Sequence, residues 1–187
     1  MALFQCYGPW HLIYSASTAR IIYLCIVSKS IHAQYIIRFS DCDPAGHLNN
    51  AKYIEYFLNA REDHVKQHYN LAMSEFYEGD HAWVVASHRI QYAIPVEHGT
   101  EVLIHSAIVS CRKQGMVVEF WMTDLKGEKI YALMQTDFAY VDLQNLQKVD
   151  HEVSLLEKLK GTIDEIDMDM SLQRRMLVRL RELRSAT

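Results

Sequence analysis

The run Asp41-Cys42-Asp43-Pro44-Ala45-Gly46-His47-Leu48-Asn49-Asn50 sets two carboxylates, an imidazole and a glycine-containing turn within ten residues. The preceding Tyr35-Ile36-Ile37-Arg38-Phe39 is β-branched and aromatic and predicts a short strand. The following Tyr53-Ile54-Glu55-Tyr56-Phe57-Leu58-Asn59-Ala60-Arg61 predicts a helix, for which Asn49 or Asn50 is a favoured N-cap. A carboxylate beside a helix N-terminus can hold an oxygen nucleophile or proton acceptor next to a carbonyl polarised by unpaired amides. That is the arrangement an acyl transfer to water requires.

Other chemistries fit these residues less well. A calcium loop of the EF-hand type wants an oxygen ligand where Ala45 stands and Glu where Lys52 stands. An aspartyl-phosphate hydrolase of the haloacid dehalogenase type also uses Asp-x-Asp after a strand. That strand is a continuous apolar run in a parallel sheet, whereas Arg38 and Ser40 precede the motif here and no later β-α units follow. Asp, Pro and Gly also build turns with no chemistry, and spacing alone leaves that reading open. His64 and His68 have helical spacing but lack the Glu of a zincin after the first His.

The elements that must hold this loop are legible downstream. Trp83–Tyr92 reads as a strand ending near Pro95, Glu101–Val109 as a second, and Met116–Met122 and Lys129–Met134 as a hairpin around Leu125-Lys126-Gly127-Glu128. The last strand extends toward Phe138–Val141. The order β-α-β-β-β-β implies an α+β domain, an antiparallel sheet of about five strands packed on one long helix.

Half of the residues are hydrophobic and the net charge is −4, so a real core is available and nucleic acid is not the implied partner. The four cysteines, Cys6, Cys25, Cys42 and Cys111, are dispersed without metal or disulfide spacing, which fits a reducing, cytoplasmic setting. Cys42 lies between two carboxylates that disfavour its thiolate. Three segments are expected: an N-terminal extension (1–32), the α+β domain (33–149) and a C-terminal helical extension (150–187). The first has no acidic residue; it reads as an extension or packed accessory segment, with organelle targeting left open. In the last, Leu172, Met176, Leu180 and Leu183 share a helical face among arginines. That helix either packs on its own oligomer with a solvated charged face, its arginines neutralised by the upstream acidic patch at Asp164, Glu165, Asp167 and Asp169, or docks on a partner or anionic surface.

The string from Arg38 to Asn50, with Tyr53 and Ala60-Arg61 after it, resembles the signature of the hotdog-fold acyl thioesterases, and by pattern the 4-hydroxybenzoyl-CoA thioesterase-like acyl-CoA thioesterases. The likeness runs from about Gln34 to about Leu143. Plant acyl-ACP thioesterases share Asp-x-x-x-His-x-Asn-Asn-x-Lys-Tyr but carry Asn where this chain has Ala45, which favours the coenzyme A version and leaves an acyl carrier protein as the alternative partner. A non-catalytic acyl-binding module is a further alternative.

The resemblance implies a catalytic carboxylate at Asp43, with His47, Asn49 and Asn50 in the same machinery and no metal or organic cofactor beyond the coenzyme A of the substrate. Tyr53 belongs to the same pattern as a substrate-side residue, although a helix this apolar makes core packing its default role. Related enzymes carry a basic cluster for the nucleotide phosphates where this chain has Arg112 and Lys113. The resemblance also implies a homodimer or homotetramer with active sites between subunits.

Overall fold

The computed structural model describes residues 31–69 and 80–185, so the expectations for the N-terminal segment lie outside the described residues apart from Ile31 and His32, which belong to the first strand. Five strands form one antiparallel sheet: β1 (Ile31–Ile36), β2 (His81–Tyr92), β3 (Glu101–Arg112), β4 (Gly115–Thr123) and β5 (Ile130–Asp142), in the order β1-β3-β4-β5-β2. Helix α1 (Asn50–Tyr69) follows β1, and α2 (Val153–Lys160) and α3 (Leu172–Ser185) follow β5.

Alternate residues of the central strands feed two different layers. Val102, Ile104, Val118, Phe120, Met122 and Met134 face Tyr53, Phe57 and Ala60 of α1. Ala107, Val117, Trp121 and Leu133 point the other way, onto Met176 of α3. Every residue of β4 is therefore buried. A strand covered on both faces reads as a continuous apolar run, which is why only partial alternation is visible in the sequence. Gly115, at the start of β4, permits a close approach: a Cβ there would clash with the Phe138 carbonyl oxygen.

Helix α1 buries Tyr53, Phe57, Ala60 and His64, a 4-3-4 spacing that keeps one face on the sheet. Phe57 is fully buried with its ring 5.7 Å from that of Phe120, and truncating it to Ala costs about 3–5 kcal/mol. Arg61 makes a helix-to-sheet hydrogen bond to Ser106 Oγ at 3.3 Å. The helix packs chiefly on β1 and β3. At the opposite edge β2 is exposed, with Val84 and Val85 at 38% and 44% accessibility.

The strand expected over Tyr35–Phe39 is displaced. β1 ends at Ile36, and Phe39–Asp41 form a short 3-10 turn. The backbone leaves the ladder because the Arg38 N–H is taken by the Tyr56 hydroxyl at 3.1 Å instead of by a neighbouring strand.

The C-terminal helix packs, but on this chain's own sheet, and the charged face expected in solvent is partly buried: Arg175 and Arg179 are 3% and 4% exposed. Leu172, Leu180 and Leu183 cover the outer apolar layer, and Arg175 and Arg179 reach down to Glu119 in the middle of β4. Glu119 is fully buried and accepts from Arg175 Nη2 at 2.8 Å, Arg179 Nε at 2.7 Å and Gln135 Nε2 at 2.8 Å. Burial alone would raise its carboxyl; the Arg175 and Gln135 hydrogen bonds and the charges of both arginines outweigh it and hold the group below the ordinary value. From the acidic patch, Asp164 joins by taking Arg179 Nη1 at 2.7 Å.

Candidate active site

The loop between β1 and α1 is closed by its own backbone. Asp43 N–H donates to the His47 carbonyl at 2.8 Å and Gly46 N–H to the Asp43 carbonyl at 2.9 Å. Gly46 has φ +81°, a left-handed conformation that a side chain would strain. The neighbouring β2–β3 connection braces the loop: Leu48 N–H reaches Val96 O at 2.8 Å and His98 N–H reaches Gly46 O at 3.2 Å.

Within this frame Asp43 Oδ1 accepts the N–H of Ala45 at 2.9 Å and of His47 at 3.3 Å. This local turn fixes the carboxylate through one oxygen. Oδ2 has no hydrogen-bond partner among the described residues, and the side chain is half-buried. Asn49 is the N-cap of α1: its Oδ1 accepts Ala51 N–H at 2.9 Å, and its own N–H is spent on Asp41 O at 3.0 Å. The Asn50 N–H has no partner among the described residues, so it is the unpaired donor at the positive end of the helix. Sequence reasoning assigned that role jointly to Asn49 and Asn50, and the hydrogen bonds separate them.

The other sequence-named residues divide by place. His47 is half-buried and meets Asp43 through its backbone N–H; its ring makes no hydrogen bond among the described residues. Tyr53 lies beneath the loop, 2% exposed and edge-to-face with Tyr92 at 5.2 Å; burial pushes its phenol up to about 12. Glu55 is exposed and pairs with Lys52 at 2.7 Å. Burial, then the Asp41 and Asp43 charges, raise the Cys42 thiol, so this cysteine is not poised as a nucleophile. His64 is turned to Ser106 Oγ at 2.8 Å and buried. Among the described residues no cluster of His, Cys, Asp or Glu has the arrangement of a metal site.

Arg112 and Lys113 are not brought to Asp43 within the chain. They form the β3–β4 turn, at the end of β3 remote from Glu101, roughly 35 Å along the strand from the Asp43 loop. Arg112 pairs with Asp137 there. With Lys113, Lys148 and the carboxylates of Asp137 and Asp150 it lines a surface cavity of about 540 Å³ that also touches Ala86 on the exposed edge strand β2. Sequence reasoning missed two tyrosines that tie the loop region together, Tyr92, whose hydroxyl donates to Asn50 O at 2.9 Å, and Tyr56. Their only signal was an aromatic residue at the end of a strand and one off the buried stripe of α1.

Residues 37–159, a span that holds the Asp43 loop, α1 and all of β2 to β5, match the profile of the thioesterase-like superfamily. The chain belongs to that superfamily. It is a thioester hydrolase with the hotdog fold. Among solved structures this thioesterase is similar to the probable thioesterase YbaW from Escherichia coli, at 22% identity and a TM-score of 0.63 over 71% of this chain and 98% of that one. It is also similar to Slr0204, a 1,4-dihydroxy-2-naphthoyl-CoA thioesterase from Synechocystis, at 15% identity and a TM-score of 0.63 over 76% and 99%. A DHNA-CoA thioesterase from Staphylococcus aureus aligns at 14% identity and a TM-score of 0.62 over 74% and 99%. No curated protein matches the thioesterase in sequence. Helix α3 lies beyond the span that matches the family.

Proposed function

We infer that the protein hydrolyses acyl-CoA thioesters to the free acid and coenzyme A, with Asp43 as its catalytic carboxylate. One observation carries the reading: Asp43 is anchored through Oδ1 while Oδ2 is unpaired, next to a helix whose Asn50 N–H is also unpaired. A thioester carbonyl oxygen bound to that N–H becomes more electrophilic, and the helix N-terminus stabilises the oxyanion as it forms.

Two routes use this geometry. Oδ2 attacks the carbonyl carbon, the C–S bond breaks to release the coenzyme A thiolate, and water then hydrolyses the mixed anhydride and restores Asp43. Alternatively, Oδ2 takes a proton from a water that attacks the carbonyl, and the same C–S bond breaks. In either route His47, whose N–H holds Asp43 Oδ1, is assigned to orienting the substrate or the reacting water.

The reading includes a homodimer joined along β2. That strand is a long edge with Val84, Val85 and Ala86 exposed on it, which proteins seldom leave unpaired. Antiparallel pairing about a two-fold axis sets the His81 end of one copy beside the Tyr92 end of the other. Because Tyr92 reaches Asn50 and the His81 end lies by the β3–β4 turn, the partner's cavity, with its three cations and the carboxylates of Asp137 and Asp150, then approaches this chain's Asp43 loop. Arg112, Lys113 and Lys148 are in this way available to coenzyme A phosphates across the interface.

The test is coenzyme A release from short, long and aromatic acyl-CoA thioesters by wild type and Asp43→Asn. Turnover that drops at least a hundredfold in a folded Asp43→Asn supports the reading and names the acyl class. Absence of wild-type turnover across the panel overturns it.

A further inference from the structure

Tyr56 lies on α1 one residue before the buried Phe57, and its ring leans on the core while its hydroxyl turns toward the segment leaving β1. Three groups of that segment meet the one oxygen. Arg38 N–H donates to it at 3.1 Å, Asp41 Oδ2 lies 3.0 Å away and the Ile36 carbonyl 3.3 Å away. The hydroxyl has a single proton, and the charged, nearer Asp41 carboxylate is the stronger acceptor. Burial, offset in part by the Arg38 N–H and reinforced by Asp41, raises the phenol, so the donor keeps its proton at working pH.

Asp41 is held a second time through its backbone. Its carbonyl takes the N–H of Asn49, the N-cap of α1, at 3.0 Å, and Lys52 Nζ lies 3.8 Å from Oδ1. The side chain is thus fixed to the second turn of the helix and the main chain to its start. Asp43 is two residues further on, and its Oδ2 must keep a set distance from the Asn50 N–H for both to act on one carbonyl. The turn around Asp43 closes within residues 43–47 and onto the β2–β3 connection, and it joins the start of α1 through the Cys42–Leu48 bridge and the Asn49 N–H bond to Asp41 O, so the place of Asp43 follows that of Asp41.

We propose that Tyr56 is a positioning residue for catalysis, which through its hydrogen bond to Asp41 sets the Asp43 carboxylate against the unpaired amide at the start of α1. Its hydroxyl acts through Asp41 and not on the reacting atoms. The inference rests on Asp43-dependent thioester hydrolysis. A shift of the carboxylate by a fraction of an ångström lowers the rate of the chemical step while leaving most of the substrate contacts intact.

The experiment compares wild type, Tyr56→Phe, Asp41→Ala, Asp41→Asn, the Tyr56→Phe/Asp41→Ala pair and Asp43→Asn on the acyl-CoA thioester that wild type turns over fastest. Tyr56→Phe keeps the ring and is expected to lower kcat about tenfold or more, with KM within about twofold and Tm within about 5 °C of wild type. Asp41→Ala should reproduce the loss, and Asp41→Asn, whose amide oxygen still accepts from Tyr56, should recover most of it. The double variant should be no slower than Asp41→Ala, since both changes remove one interaction. Wild-type kcat in Tyr56→Phe, or a multiplicative loss in the double variant, overturns the positioning role while leaving Asp43 in place. An Asp43→Asn enzyme as active as wild type overturns the catalytic reading, and this inference with it.

Discussion

Asp43 and Asn49 illustrate how much one side chain can settle when its hydrogen bonds close within a few residues. Asn49 Oδ1 caps the Ala51 N–H, so Asn49→Ala should cost about 1 kcal/mol, seen as a lower denaturation midpoint at unchanged m-value. Asn49→Asp retains an acceptor and should return that stability. Asp43→Asn, by contrast, should leave the midpoint nearly unchanged, because an amide oxygen still accepts from Ala45 and His47. A large stability loss there would make Asp43 a turn residue only. These contacts were legible in the sequence because each spans at most four positions: Asx turn, glycine and cap are local devices. The free donor was not. Which amide of an Asn pair stays unpaired depends on Asp41 O, and that contact is set by how the loop folds back.

At the scale of elements, the strand pattern and the helix were readable from hydrophobic period and turn chemistry, while the partners of charged residues were not. Glu119 interrupts Met116–Met122, and in the sequence it looks like the solvent side of a strand. Only the folded chain brings Arg175 and Arg179 onto it from more than fifty residues away. Removing one member strands the others in a water-poor layer. Glu119→Gln is therefore expected to cost about 3–5 kcal/mol, a drop in Tm of about 10 °C. Replacing Glu119, Arg175 and Arg179 together by Leu and Met should cost less than Glu119→Gln alone, because no unpaired charge remains in the buried layer; Asp164 and Glu182, which lose Arg179, are reached by water.

The same layer predicts an acid response. His105 stacks on Trp121 with centroids 5.0 Å apart, and Nε2 contacts Thr123 Oγ1 at 3.2 Å. Burial first, then the nearby His32, His64 and Arg179, depress its value from 6.5 to about 3. The unfolded chain takes the proton near 6.5 and the folded chain does not, so the contribution is complete above pH 6.5 and drains away as pH falls toward 3. Stability should decline by up to about 1.4 kcal/mol per pH unit across that window. The folded Glu119 carboxyl lies below its ordinary value, so its contribution is lost later, as pH falls from about 4.3 through the folded value. In His105→Gln, Tm measured between pH 7 and 5 should be flatter than in wild type; an unchanged slope would place the acid-sensitive group elsewhere.

At the scale of the whole molecule, the roughly 35 Å between Asp43 and Arg112 along β3 turns an intramolecular puzzle into a test of assembly. If Arg112 serves the site, it does so from the other copy, with β2 paired across a two-fold axis. Ala86 lies at the middle of β2 and is exposed; Ala86→Lys would set two ammonium groups near that axis and should halve the mass seen by light scattering. A direct test uses two impaired chains. Asp43→Asn lacks the carboxylate. Arg112→Glu should raise KM for coenzyme A thioesters and spare short pantetheine thioesters, which lack the nucleotide. Co-refolded in equal amounts, half of the dimers are mixed, and each mixed dimer has one site with an intact Asp43 from one chain and an intact Arg112 from the other. Activity at low substrate should then rise to about a quarter of wild type, well above the average of the two variants measured separately. If Arg112 acted within its own chain, each site of a mixed dimer would carry one lesion and mixing would recover nothing. The pantetheine substrate provides the internal control, since the Arg112→Glu chains should turn it over at the wild-type rate with or without mixing.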